Sequence, residues 1–264
     1  MNRLERLFAS KQKNILNIYC TAGYPRLDST LEVIHALEEG GADIVEIGMP
    51  FSDPLADGPT IQKSGQQALQ NGMTVPLLLE QIRESRQSST IPIILMGYFN
   101  QIMQFGEIPF FEQCAEAGVD GLILPDLPLE EYEHKYREIL ESLDLRISFL
   151  ISPLTKAERI QRIAELSSAF VYMVSSTATT GGKHHFSSDT LSYFKRIEAM
   201  DLPSKRLIGF GISDHKAFSD ACRYAHGAII GSAYIRALEE NQSISETTRT
   251  FIHTITADQN HLLL

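Results

Sequence analysis

Glu46 sits in Asp43-Ile44-Val45-Glu46-Ile47-Gly48, a short run that is otherwise almost wholly apolar. Period-two alternation along such a strand sends Val45 and Ile47 to one face and Ile44 and Glu46 to the other. A carboxyl buried among Ile and Val is costly to ionise, so its pKa rises toward neutrality and it becomes able to give and take protons. A salt bridge is the plain structural alternative, but no Lys or Arg lies within 15 residues on either side. The loop that follows, Met49-Pro50-Phe51-Ser52-Asp53-Pro54-Leu55-Ala56-Asp57-Gly58-Pro59-Thr60, carries two aspartates stiffened by three prolines. Either Asp53 or Asp57 could face Glu46, and spacing alone does not choose between them. Asp57-Gly58-Pro59 also reads as a turn and helix start.

A second signature lies in glycine. Ser175-Ser176-Thr177-Ala178-Thr179-Thr180-Gly181-Gly182, Gly209-Phe210-Gly211-Ile212-Ser213 and Gly227-Ala228-Ile229-Ile230-Gly231-Ser232-Ala233 each follow or complete an apolar run. Glycine lets a phosphate approach the backbone, and a helix N-terminus offers N–H donors and a positive dipole end. Three such clusters in succession, the last with Gly-Ser opening a short helix, predict a phosphate site.

Other chemistries are poorly supplied. The nine lysines, at positions 11, 13, 63, 135, 156, 183, 195, 205 and 216, avoid every predicted strand, so no Schiff-base lysine is expected. His184-His185 and His226 have no partners at metal-ligand spacing, and neither a metal nor an organic cofactor is expected. What remains is carboxylate acid–base chemistry on a phosphorylated substrate.

The elements that must position these groups alternate. Strands are predicted at Ile15–Cys20, Asp43–Ile47, Ile91–Met96, Val119–Leu124, Leu145–Ile151, Phe170–Val174, Leu207–Phe210 and Ala228–Ile230. Helical periodicity lies between them, as in Leu31-Val33-Ile34-Leu37, Ile160-Ile163-Ala164, Leu191-Phe194-Ile197 and Ala217-Ala221. Asp28-Ser29, Ser188-Asp189 and Ser213-Asp214 are candidate helix caps. Eight strands separated by helices predict an α/β protein, a single (β/α)8 barrel over residues 1–264. Asn2–Ser10 is read as an extra N-terminal helix covering the barrel floor. Glu39-Gly40-Gly41-Ala42-Asp43 and Glu116-Ala117-Gly118-Val119-Asp120 recur as helix ends feeding strands. In a barrel the reaction end is the C-terminal end of the strands, where Glu46 and the glycine loops fall.

Composition agrees with a soluble enzyme. The 264 residues carry 23 Lys and Arg against 33 Asp and Glu, a net charge of −10 that argues against nucleic acid. Three widely spaced cysteines make no disulfide framework, no signal-peptide pattern opens the chain, and no run nears the roughly 18 apolar residues of a membrane span. A cytoplasmic location is expected.

The run Val45 to Gln62 closely resembles the signature of the tryptophan synthase alpha chain family. The resemblance extends through Thr21-Ala22-Gly23-Tyr24-Pro25, Met96-Gly97-Tyr98-Phe99-Asn100, Gly118-Val119-Asp120-Gly121, Pro125-Asp126-Leu127-Pro128, Thr180-Gly181 and the two later glycine motifs, over essentially the whole chain. It implies retro-aldol cleavage of indole-3-glycerol phosphate to indole and glyceraldehyde 3-phosphate. Glu46 would then be the acid/base, Asp57 the carboxylate that accepts the indole N–H, and Tyr172 a catalytic tyrosine near the substrate hydroxyls. Tyr19, Ile61, Tyr98 and Leu124 would line the indole pocket, with Thr21, Thr180 and Phe210 as further substrate contacts. Gly181, Gly211, Gly231 and Ser232 would bind the phosphate. Asp53 is placed at a surface facing a partner, the PLP-bearing beta chain of an α2β2 complex. The segment Ser176–Thr179 departs from the commonest family pattern, which carries Arg or Val and a glycine there. The rivals are indole-glycerol-phosphate synthase, which wants a strand lysine, and a sugar-phosphate isomerase or metal-dependent epimerase, the last wanting lumenal histidines. A non-catalytic regulatory barrel would tolerate loss of Glu46 and Asp57, and both are present.

Overall fold

The computed structural model describes residues 1–175, 186–239 and 243–257. Its strands, all parallel, are β1 (Ile15–Thr21), β2 (Ile44–Gly48), β3 (Ile93–Met96), β4 (Gly121–Ile123), β5 (Arg146–Ser148), β6 (Leu150–Ile151), β7 (Val171–Val174), β8 (Arg206–Gly209) and β9 (Gly227–Ile230). They form one sheet in the order β5-β4-β3-β2-β1-β9-β8-β7-β6. β1 pairs with both β2 and β9, and the two end strands, β5 and β6, are separated in the chain only by Phe149. The sheet therefore curls into a barrel that the chain itself closes, with the helices outside.

The expected fifth strand, Leu145–Ile151, is two short pieces. Ala169 N–H donates to Ile147 O and Tyr172 N–H to Phe149 O, both at 2.9 Å, so three steps on the β7 side face two on the other. That mismatch is the signature of a bulge, and the Phe149 N–H turns to Ser167 Oγ at 3.3 Å. The third strand starts two residues later than expected because Pro92 has no N–H to give the ladder. The cap readings divide. Asp214 accepts from Ala217 N at 2.8 Å, as expected. Asp28 makes no cap bond, and it is Ser187, not Ser188 or Asp189, that accepts from Thr190 N.

Alternation along the strands sorts two cores. Val45, Ile47 and Leu95 face the surrounding helices, while Ile15, Ile44, Ile94, Ile123, Leu207 and Ile229 fill the lower lumen. Leu4 and Phe8 of the Arg3–Ser10 helix join that lumenal cluster, so this helix plugs the barrel floor. Each such side chain contributes about 1.5–3 kcal/mol by leaving water. The helix begins with a capping box: Asn2 Oδ1 accepts from Leu4 N, and Glu5 accepts from Asn2 N.

The recurrent Gly-x-Asp motif has a physical purpose. Gly41 and Gly118 end their helices with φ of +95° and +86°, a conformation that favours glycine. The aspartate two residues on then takes the free N–H at the foot of the neighbouring strand: Asp43 from Leu16 at 2.7 Å, Asp120 from Ile93 at 2.9 Å. Asp120 is 2% exposed and also pairs with Arg86 at 2.8 Å and Arg3 at 3.1 Å. Asp120→Ala strands the buried Arg86 charge and should destabilise the fold by about 3–5 kcal/mol. Urea unfolding measures this, and a loss below about 1 kcal/mol contradicts the assignment.

Candidate active site

Glu46 stands at the upper end of β2, in register with Tyr19 of β1 and Ile94 of β3, and is 1% exposed. Asn17 Nδ2 donates to its Oε2 at 2.8 Å. No ion pair reaches Glu46 among the described residues. Burial pushes its carboxyl up to about 8; the Asn17 bond opposes this, and the nearby Asp57 charge adds to it. At neutral pH Glu46 is thus mostly a carboxylic acid held within reach of ionisation.

Asp57 is half-buried on the loop after β2, where Tyr98 Oη donates to its Oδ2 at 3.2 Å and itself accepts from Ala56 N at 3.0 Å. The loop is pinned by Gln101 Nε2 to Pro50 O, by Gln62 Nε2 to Asp57 O, and by Phe51 stacked on Tyr98 at 5.1 Å. Burial raises the Asp57 pKa and the Tyr98 hydroxyl lowers it. Asp53 is exposed instead, beside Leu55, which is 84% exposed.

A cleft opens at the C-terminal mouth of the barrel, and Tyr19, Asp57, Tyr98 and Phe210 line it together. Glu46 lies under its floor, one strand from Tyr19. Tyr172 of β7 is 5% exposed and meets Phe210 edge-on at 6.2 Å. Burial and then the Glu46 charge hold its hydroxyl well above the usual tyrosine range, so it is a neutral donor or acceptor. Two glycines make room for these rings. A methyl group at Gly48 would overlap the Tyr19 ring and hydroxyl, and one at Gly209 those of Tyr172. Gly209→Ala is expected to cost about 1–3 kcal/mol by overpacking, read by chemical denaturation, with part recovered in the Gly209→Ala/Tyr172→Phe double variant. A variant as stable as the parent contradicts this packing.

Gly211 and Gly231 follow the adjacent strands β8 and β9, and Ser232 is the exposed first residue of the Ser232–Glu239 helix. Phe210 and Gly211 have φ of +70° and +74°. For phenylalanine this left-handed conformation stores about 1–3 kcal/mol. It is held by Ser175 Oγ donating to Phe210 O at 2.7 Å, and it turns the ring into the cleft. Thr180 and Gly181 lie outside the described residues.

Of the expected contacts among the described residues, Tyr172, Gly211, Gly231, Ser232, Thr21, Ile61 and Leu124 are not in the cleft lining. Thr21 Oγ1 is buried against Ser64 Oγ at 2.7 Å. Ile61 packs half-buried on the helix-side core, and Leu124 is 1% exposed within that core. Leu124 follows the lumenal Ile123, so alternation turns it outward, and Pro125 meets the cleft instead. Met49, Met96 and Leu150 also line it, and Asn17 lies below; sequence reading passed over all four. Lumenal parity was the available signal for two of them, since Met96 is two residues beyond Ile94 and Asn17 two before Tyr19; Met49 is out of phase with Ile44 and Glu46 and was not open to it. Among the described residues no cluster of three or more His, Cys, Asp or Glu is placed to hold a metal ion. None of their helices is long and apolar enough to cross a membrane.

Residues 6–261 match the family model for the tryptophan synthase alpha chain. The chain belongs to the tryptophan synthase alpha chain family. Alpha chains from Bacteroides fragilis and Christiangramia forsetii are 49% and 50% identical to it, over 92% and 91% of this chain and 92% and 94% of theirs. Among solved structures, the tryptophan synthase A-subunit of Pyrococcus furiosus superposes with a TM-score of 0.85 at 32% identity, covering 93% of this chain and 98% of that one. A tryptophan synthase chain from M. tuberculosis gives 0.84 at 29% identity, over 97% and 99%. The alpha-chain fold in these structures is the barrel described above, and an enzyme of this family is a lyase of tryptophan biosynthesis.

Proposed function

We propose that Glu46 and Asp57 are the two carboxylates with which this chain performs the alpha reaction of tryptophan biosynthesis, the cleavage of indole-3-glycerol phosphate to indole and glyceraldehyde 3-phosphate. The observation that carries the assignment is the geometry: a carboxyl 1% exposed in the lumen, bonded only to the Asn17 amide among the described residues, beneath a cleft whose rim holds a second carboxylate. Breaking the bond between the ring and the glycerol chain leaves an electron pair on indole carbon three. That carbon must first be protonated, and Glu46 gives the proton. The iminium so formed is the electron sink, and Asp57 stabilises it by accepting the indole N–H. Glu46, now a carboxylate, takes the proton of the adjacent glycerol hydroxyl; the carbonyl forms, the carbon–carbon bond breaks, and the pair returns to the ring. The enzyme ends as it began.

In this reading Tyr172 orders the substrate hydroxyls, and Tyr19, Tyr98 and Phe210 sandwich the ring. Thr21, Ile61 and Leu124 remain part of the proposed substrate surround, outside the cleft lining, and Thr180, which is not among the described residues, is proposed with them. Backbone N–H groups at Gly181, Gly211, Gly231 and Ser232 take the phosphate, on oriented dipoles that need no net positive charge. No described strand carries a lysine, which disfavours the indole-glycerol-phosphate synthase reading. The exposed side of the loop, with Asp53 and Leu55, faces the proposed partner, a PLP-bearing beta chain in an α2β2 assembly, in the cytoplasm. Indole is small and apolar, so direct transfer to that partner prevents its loss. The test is indole release from indole-3-glycerol phosphate by the purified chain, with and without a cognate beta chain. Turnover stimulated by the partner is expected; absence of turnover in both arms contradicts the proposal.

A further inference from the structure

Water does not reach the depth of a side-chain-filled lumen, so a polar group there is costly unless it is paired. In Ile15-Leu16-Asn17-Ile18-Tyr19 the alternation that puts Ile15 in the lumenal cluster sends Asn17 and Tyr19 the same way, and Tyr19 reaches the cleft. Asn17 is 0% exposed and stands in register with Ile44 and Ile229, one lumenal step below Glu46. Its Nδ2 serves Glu46 Oε2 at 2.8 Å, yet its Oδ1 has no hydrogen-bond partner among the described residues. Half of a fully buried amide is therefore unspent, beside the carboxyl assigned to proton transfer.

The chemistry proposed for Glu46 supplies the missing donor. A carboxyl that gives a proton and later takes one alternates between a carboxylate, which needs a donor, and an acid, whose O–H needs an acceptor. A primary amide offers both on one planar group. We propose that Asn17 is a positioning residue that pairs with Glu46 in both protonation states. Nδ2 donates to the carboxylate; a half-turn of the amide presents Oδ1 to the O–H of the acid. For transfer the O–H swings from Oδ1 toward the indole carbon; as the proton leaves, the amide turns and its N–H meets the charge left behind. When the hydroxyl proton arrives, the amide turns back. The inference rests on the reading of Glu46 as the acid/base.

The other titratable groups that act on Glu46 or feel its charge are Asp57 from the following loop, Tyr19 and Cys20 on β1, and Tyr172 on β7. The tyrosines and the thiol stay neutral at physiological pH, so Asp57 is the charge among them, and it reinforces burial in favouring the acid. Asn17 is the group that opposes both, because its bond to the charged carboxylate is stronger than its bond to the neutral acid.

Asn17→Leu removes donor and acceptor at similar volume in an apolar surround. Expected are a kcat at least about tenfold lower, KM within about twofold, and a high-pH limb of kcat/KM moved upward by about one unit. The Glu46 carboxyl carbon, followed by 13C NMR in the ligand-free protein, should titrate higher by the same amount. Asn17→Asp keeps the shape but replaces the donor with a like charge, and should move Glu46 higher still; it carries the test if the Leu variant does not fold. Asn17→Ser, whose hydroxyl both donates and accepts, should recover part of the rate. A variant whose limb and titration stay at the parent value, whatever its stability, overturns the proposal. An active Glu46→Gln protein would remove the underlying reading as well; an inactive one beside an unaffected Asn17→Leu overturns this inference alone.

Discussion

Glu46→Gln is expected to abolish indole formation from indole-3-glycerol phosphate, with kcat lower by about 10³-fold or more. The amide keeps the shape of the carboxyl and still accepts from Asn17 Nδ2, but it has no proton to give at neutral pH. Substrate binding, read by calorimetry, should persist because the cleft walls are unchanged. The same substitution should stabilise the protein in alkaline solution, and the sign follows from linkage. Burial raises the Glu46 pKa from 4.5 in the open chain to about 8 when folded. Below pH 4.5 both states are protonated and no penalty exists. As pH rises above that value the unfolded chain ionises first, and wild-type stability falls until the folded carboxyl ionises near pH 8. The Gln variant escapes this, so its advantage in unfolding midpoint should be small at pH 4 and largest at pH 8–9. A carboxyl kept for chemistry at a cost in stability is the usual trade-off at active sites. Equal midpoints at both pH values would contradict the burial argument even if activity were lost.

Asp57→Asn is expected to lower kcat by about 10²–10³-fold, the usual cost of removing one preorganised electrostatic contact to developing charge. The amide oxygen of the variant can still accept from Tyr98 Oη, so the loop should hold and KM should change little. A second consequence separates this from a packing effect. Asp57 contributes to the raised pKa of Glu46, so its neutralisation should move the high-pH limb of the residual activity downward. A limb that stays in place would show that the two carboxyls do not sense each other. Opposite shifts in Asp57→Asn and Asn17→Leu would bracket Glu46 between the group that raises it and the group that lowers it.

Much of this was legible because strand parity is a rigid rule. Period two placed Glu46 and Ile44 in the lumen and Val45 and Ile47 against the helices, and the structure has them there. The barrel followed from alternation, and the floor helix from a charged amphipathic start. The proposed choice of Asp57 over Asp53 was not legible from spacing and came from the family resemblance; the contact that supports it is made by Tyr98, 41 residues away, which reaches the loop only after folding. The bulge at Phe149 was also hidden, since it arises from how β7 pairs across the closing seam and not from the local run. Asn17 was within reach of the same parity rule, yet one polar residue in an apolar strand gives no hint of its partner 29 residues on.

The most direct test is the titration of one group. In wild-type protein labelled with 13C at the glutamate side-chain carboxyl, the Glu46 signal is identified by its absence from the Glu46→Gln spectrum. It should titrate at about 8, several units above its ordinary value of 4.5, and kcat/KM should fall as this group ionises. A Glu46 signal that titrates near 4.5 would contradict the mechanism, because a carboxyl already ionised at neutral pH has no proton to place on the indole ring.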